Sequence, residues 1–203
     1  MMAGSIFLFC TWFLWIFTTF FMDKRNQKRT EYSIYLLLAI ILSELNWEWQ
    51  HVRFSILPLV VLVISFFYTS RLHWKKSMYC IVSSFFVMLA YITYELMAII
   101  DPIWVFIPGV WLKASVLFIL VILLHRNIVC QILILSIGSM MGDIVLSFVL
   151  RSYQMNYSIG SIHFFDSFML GMLGMISLFY LKMTLARWEQ YVFMLEKERQ
   201  KNV

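Results

Sequence analysis

Seven times along the chain, charge almost disappears for the length of a membrane crossing, at about residues 4–22, 32–50, 54–70, 77–99, 103–124, 128–150 and 161–182. A helix needs about 20 mostly apolar residues to cross hydrocarbon, and inside it every backbone group must bond within its own segment. The connections between the runs are too short for a second domain. The pattern therefore predicts an all-α polytopic transmembrane bundle over residues 1–182, with about seven spanning helices. The second and third runs are the weakest, one polar at its end and the other short.

Composition excludes the water-soluble alternative. The chain is 62% hydrophobic, 18% aromatic and 13% charged, against roughly 45–50% apolar and 25% charged in soluble domains. Its net charge of +5 falls between the apolar runs, where topology signals lie, so it does not argue for nucleic-acid binding. The first run precedes its basic residues and lacks a basic leader or an A-x-A-like site, so it reads as a spanning helix and not as a cleaved signal. Cys10, Cys80 and Cys130 are too widely spaced for a disulfide framework.

Orientation follows from the basic residues. With the N-terminus outside, the inner connections and tail hold Lys24, Arg25, Lys28, Arg29, Arg71, Lys75, Lys76, Arg126, Lys182, Arg187, Lys197, Arg199 and Lys201, leaving only Arg53, Arg151 and Lys113 of the 16 basic residues. That asymmetry predicts an extracytoplasmic N-terminus and a cytoplasmic C-terminus in a cell membrane. A shift of 51 residues lays Lys24-Arg25 on Lys75-Lys76 and Glu44-Leu45 on Glu95-Leu96, suggesting repeated helical hairpins followed by a seventh helix. Residues 183–203 form a separate cytoplasmic element. Leu185, Trp188, Val192 and Leu195 share one face of an amphipathic helix that anchors at headgroups, self-associates or docks a protein partner.

In this topology Glu44, Glu95, Asp143 and Asp166 lie in the outer half of the bundle, and Lys113 lies beneath them. A charge in hydrocarbon costs at least ~2.5–3.5 kcal/mol and normally faces the bundle interior. The economical arrangement is an outward-facing acidic pocket with Lys113 at its floor, suited to a small solute or a cation. Interhelical ion pairs are the plain structural alternative. Glu44 and Glu48 would share a helical face, and Asp101 would cap the fifth helix ahead of Pro102. Pro108-Gly109, in FIPGVWLKASVLF, predicts a kink about one turn before Lys113, because proline cannot donate to the carbonyl of Trp104.

Other motifs are weaker. Gly138-x-x-x-Gly142, with Gly171 and Gly174 on the next helix, reads as close helix packing. Met-Gly-Asp at 141–143 lacks the first glycine and the tyrosine-aspartate partner of intramembrane aspartyl proteases. His73 and Cys80, seven apart on one helical face, resemble in spacing the His/Cys endopeptidases that mature quorum-sensing peptides. That resemblance implies a Cys80 nucleophile with His73 as base, although Arg71-Leu72 stands where that family has small residues. Glu48-x-x-His51 is too little for a metal site, and no cofactor or metal is expected.

The first hairpin, TWFLWIFTTFFMDKRNQKR followed by YSIYLLLAIILSE, resembles the YphA-like family of small multipass membrane proteins from Bacillus-type spore formers. The W-x-x-W helix, the FMDK exit and the serine-acid end of the second run carry the resemblance. It implies a Gram-positive cell-membrane protein connected with spore-envelope assembly, without an assigned enzymatic activity or catalytic residues. The leading expectation is thus a non-enzymatic integral membrane protein acting through its outer pocket. The endopeptidase and a signalling or scaffolding module acting through residues 183–203 stand as alternatives.

Overall fold

The computed structural model describes residues 4–23, 27–49, 52–101, 108–155 and 157–201. Lys24, Arg25, His51, Pro102 and Trp104 lie outside them. Seven helices and one hairpin are seen among the described residues: α1 (Ser5–Phe20), α2 (Gln27–Glu44), β1 (Asn46–Trp49), β2 (Val52–Ser55), α3 (Ile56–Ser70), α4 (Trp74–Ile100), α5 (Gly109–Leu124), α6 (Ile128–Ser152) and α7 (Ile162–Lys201). Among the described residues, three helices are long and apolar enough to cross a membrane: α4, α6 and the Ile162–Tyr191 part of α7. The apolar helices α1, α3 and α5 have 16, 15 and 16 residues, about 22–24 Å of helix against a hydrocarbon layer of ~30 Å.

Two elements correct the sequence reading. The second run stops being helical at Glu44, and Asn46–Trp49 pairs antiparallel with Val52–Ser55, Trp47 opposite Phe54. Here polar Asn46 and Glu48 alternate with Trp47 and Trp49, a period-2 pattern rich in strand-favouring aromatics. Glu44 and Glu48 therefore do not share a helical face. Pro108-Gly109 also does not interrupt a described helix. Pro108 is the N-cap of α5, its carbonyl accepting from Trp111 N at 2.9 Å, and Gly109 is the first helical residue. Proline's fixed φ and missing N–H cost nothing at a helix start.

The helices alternate in direction, so the bundle has two chemically distinct ends. At the hairpin end, Ile159 joins Phe54 in a parallel bridge and its carbonyl accepts from Ser55 N at 3.0 Å. Gly4, at the start of α1, abuts Ile162 at the start of α7. At the basic end, Arg29 of α2 donates to the Thr19 carbonyl of α1, and Tyr79 of α4 donates to the Leu124 carbonyl of α5. Arg71, Lys75, Lys76 and Arg126 belong to this basic end. Glu44, Glu95, Asp101, Asp143 and Asp166 belong to the half nearer the hairpin.

Helix α6 is the axis of the fold. In the 18-residue apolar window of each long helix, 67% of α6 is buried, against 28% of α4 and 33% of α7. It packs on α3, α4, α5 and α7, most extensively on α4. Lipid tails are as apolar as leucine, so close packing of small residues has to replace the hydrophobic drive between helices. A Cβ on Gly138 would lie 2.6 Å from Val87 Cβ and 2.8 Å from the Ser84 carbonyl oxygen. Gly138→Ala is therefore expected to destabilise the bundle by about 1–3 kcal/mol. Gly171→Ala, whose Cβ would meet the Leu135 methyls at 3.4 and 4.0 Å, should be nearly neutral. Thermal unfolding in detergent micelles separates the two, and equal midpoints would refute this packing argument. Several buried hydroxyls are satisfied inside their own helices: Thr11 donates to Phe7 O, Thr69 to Ser65 O and Ser84 to Cys80 O.

Helix α7 runs unbroken for 40 residues, about 60 Å and twice the hydrocarbon thickness. Residues beyond Lys182 thus continue the last apolar run without a break, as far as Lys201. Leu185, Trp188, Tyr191, Phe193 and Met194 are exposed along this extension.

Candidate functional site

Lys113 lies one turn into α5 and is buried. Its Nζ donates to Glu95 Oε1 of α4 at 2.5 Å, the two side chains being 8% and 19% exposed. Nζ also stands 5.3 Å from the ring centroid of Tyr91, which precedes Glu95 by four residues and so shares its helical face. Tyr94 ties the same two helices together through its hydroxyl, which donates to the Gly109 carbonyl at 3.0 Å. The lysine expected at the floor of a pocket thus meets one of the expected acids directly, across the α4–α5 contact.

Asp143 of α6 is completely buried and is the hub of the site. Its Oδ1 accepts from Tyr91 Oη at 2.9 Å and from Tyr157 Oη at 2.6 Å, and its Oδ2 accepts from Gly160 N at 2.6 Å. Local structure explains each donor. Gly142 lets the Tyr91 ring approach, since a Cβ there would be 2.8 Å from Tyr91 Cδ1. Gly160 has φ +68°, and a Cβ on it would lie 2.3 Å from Pro58 Cγ, so only glycine turns this N–H onto the carboxylate without strain. The α6–α7 connection carrying Tyr157 and Gly160 is itself pinned through Ile159 to β2. Burial, reinforced by the Asp143 charge, pushes the Tyr157 phenol well above its ordinary range, so it stays a donor at physiological pH.

Through Tyr91, the pair Glu95–Lys113 and the hub Asp143 form one buried cluster on α4, α5 and α6. It contains two carboxylates and one ammonium. Three donors on Asp143 replace the hydration that its carboxylate loses on burial. The sequence reading placed Glu95, Lys113 and Asp143 together but missed Tyr91, Tyr157 and Gly160. The available signal was the need of any acid in hydrocarbon for donors, combined with the helical spacing of Tyr91 and Glu95.

The remaining candidates lie elsewhere. Asp166 of α7 caps α1, its Oδ2 accepting from Gly4 N and its Oδ1 from Phe7 N, both at 2.8 Å. A carboxylate at a helix N-terminus completes orphan N–H groups and meets the positive end of the helix dipole. Glu44 is exposed at the end of α2, away from the cluster. Gly138 and Gly142 both stand against α4. Cys80 is fully buried and interacts with the Cys130 thiol, both cysteines being free. His73 is exposed as the N-cap of α4 and makes no side-chain cap bond. Among the described residues, no cluster of three or more histidine, cysteine or acidic side chains is arranged to hold a metal.

Comparison with known proteins agrees with this architecture. The model of the YphA-like integral membrane protein family matches residues 3–201. The chain is 27% identical over 162 residues, 80% of each protein, to the uncharacterized protein YphA of Bacillus subtilis (strain 168). No solved structure matches it. A match over nearly the whole chain, on a bundle whose long apolar helices suit a bilayer, means that this chain belongs to the YphA-like family of integral membrane proteins.

Proposed function

We propose that this is a non-enzymatic, seven-span membrane protein that takes up a proton at the Glu95–Lys113–Asp143 cluster. The carrying observation is the charge count: two carboxylates share one ammonium, leaving one uncompensated negative charge in a low-dielectric interior. Such a charge is costly until a cation joins it. A proton fits better than a metal ion because Asp143 is surrounded by hydrogen-bond donors, whereas hard cations require oxygen acceptors. Glu95, at 19% the most exposed of the three side chains, is the point of access, and Tyr91 relays its state to Asp143. Ser55, whose buried hydroxyl has no hydrogen-bond partner among the described residues, adjoins Gly160 and adds a polar group on the hairpin side.

In this reading the hairpin end faces outward and the basic end faces the cytoplasm. Support comes from the excess of cations at the basic end, where Arg29, Arg71, Lys75, Lys76 and Arg126 outnumber Asp23 and Glu31. The short helices α1, α3 and α5 cross with local thinning of the bilayer. The reading is tested with purified protein in liposomes carrying an internal pH dye under an imposed potassium-diffusion potential. Wild-type vesicles should change internal pH faster than empty ones. Glu95→Gln should return the rate to that of empty vesicles with helicity retained, at a lower thermal midpoint because it takes away the direct partner of Lys113. Equal rates in wild-type and empty vesicles at both polarities would remove the proposal.

A further inference from the structure

The basic end carries a second cluster of opposite character. Lys75 and Lys76 are in the first turn of α4, and Arg126 is in the α5–α6 turn. All three are exposed. Tyr79 brings these two segments together, its hydroxyl bonded to the Leu124 carbonyl and its ring centroid 5.6 Å from that of His125. Because Tyr79 follows Lys75 by one helical turn, the two lysines and Arg126 flank a single junction. The basic end also contains cations that are already engaged. Arg29 donates to the Thr19 carbonyl, and Arg71 lies 4.3 Å over the Phe67 ring. Within the described residues, Lys75, Lys76 and Arg126 make no ion pair.

Two surroundings identify what such a cluster would recognise. Trp74 is 76% exposed and Tyr79 48%, amphipathic rings of the type that settle at headgroup depth. Apolar exposed surface begins immediately beside the cations, with Met78 and Val82 along α4 and Leu123 and Val129 flanking Arg126. A soluble anion would use only the charges, whereas an anionic lipid would use both. We propose that this junction binds the headgroup phosphate of an anionic glycerophospholipid, its acyl chains lying along the adjoining α4 and α5 surfaces. The site is at the opposite end of the bundle from the proton cluster and stands or falls independently of it.

The test is lipid retention. Protein from nanodiscs of mixed phosphatidylglycerol and phosphatidylcholine is analysed by native mass spectrometry for the lipids that stay bound. Wild type should retain phosphatidylglycerol above its bulk proportion. Each of Lys75→Gln, Lys76→Gln and Arg126→Gln should weaken that retention about fivefold, and the triple variant about a hundredfold, which brings the bound lipid to its bulk proportion. Arg151→Gln, exposed at the hairpin end, should leave it unchanged, and excess inorganic phosphate should not displace the lipid. The proposal is overturned if wild type retains both lipids in bulk proportion or if Arg151→Gln matches the triple variant. Displacement by phosphate would overturn the acyl-chain part and leave a simple anion site. The side chains concerned are exposed, so thermal midpoints should be unaffected, and single variants carry the test if the triple one does not fold.

Discussion

Lys113→Met is expected to lower bundle stability by about 3–5 kcal/mol, because it leaves the Glu95 carboxylate without its partner in a site that water reaches poorly. Methionine matches the length and volume of the lysine stem, so packing contributes little to the loss. The companion variant separates charge from shape. Glu95→Gln/Lys113→Met removes both charges together, and a matched apolar replacement of a buried pair is often close to neutral. The double variant should therefore recover most of the wild-type thermal midpoint in micelles. If the double variant is as unstable as Lys113→Met alone, the stranded-charge explanation fails, and Lys113 contributes through its stem or through the Tyr91 ring.

Asp143→Ala should be comparably severe for a different reason. It strands three donors at once: the Tyr91 hydroxyl, the Tyr157 hydroxyl and the Gly160 N–H. At about 1–3 kcal/mol for each buried group left unsatisfied, the loss reaches several kcal/mol even if one donor finds water. The damage should also be local, because two of the three bonds fasten the α6–α7 connection. Limited proteolysis within residues 153–161 should accelerate before global unfolding. Tyr157→Phe, which removes one donor and leaves the other two bonds in place, should cost about 1 kcal/mol. Unchanged protease resistance in Asp143→Ala would show that the bridge to β2 alone holds the connection.

The long apolar runs predicted helices well because hydrocarbon imposes one demand, internal backbone bonding, on every residue in them. The same uniform greasiness hid the hairpin. Trp47 and Trp49 extend an apolar stretch on a hydropathy count, and only the alternation with Asn46 and Glu48 marks a strand. Pro108-Gly109 was ambiguous for a related reason, since the two residues serve equally well to start a helix or to bend one. The meeting of Glu95, Lys113 and Asp143 was foreseeable because buried charges in a bilayer have few places to go. Their actual partners were not, since phenols and a backbone N–H provide donors without contributing any charge to the sequence pattern. Glu44 and Asp166 shared the same predicted depth as the cluster but stand apart from it, because depth along a helix says nothing about azimuth.

The Asp166 cap on α1 also bears on the order in which this protein is assembled. Its two bonds join residues 162 and 159 positions apart, linking the first helix to the last. At 5–20 residues per second, a ribosome needs roughly 8–30 s to make the residue that completes the first helix. Until then the leading N–H groups of α1 lack this carboxylate. Docking of α7 therefore closes the bundle as a ring, and the start of the chain acquires its final geometry only when the last helix has been made.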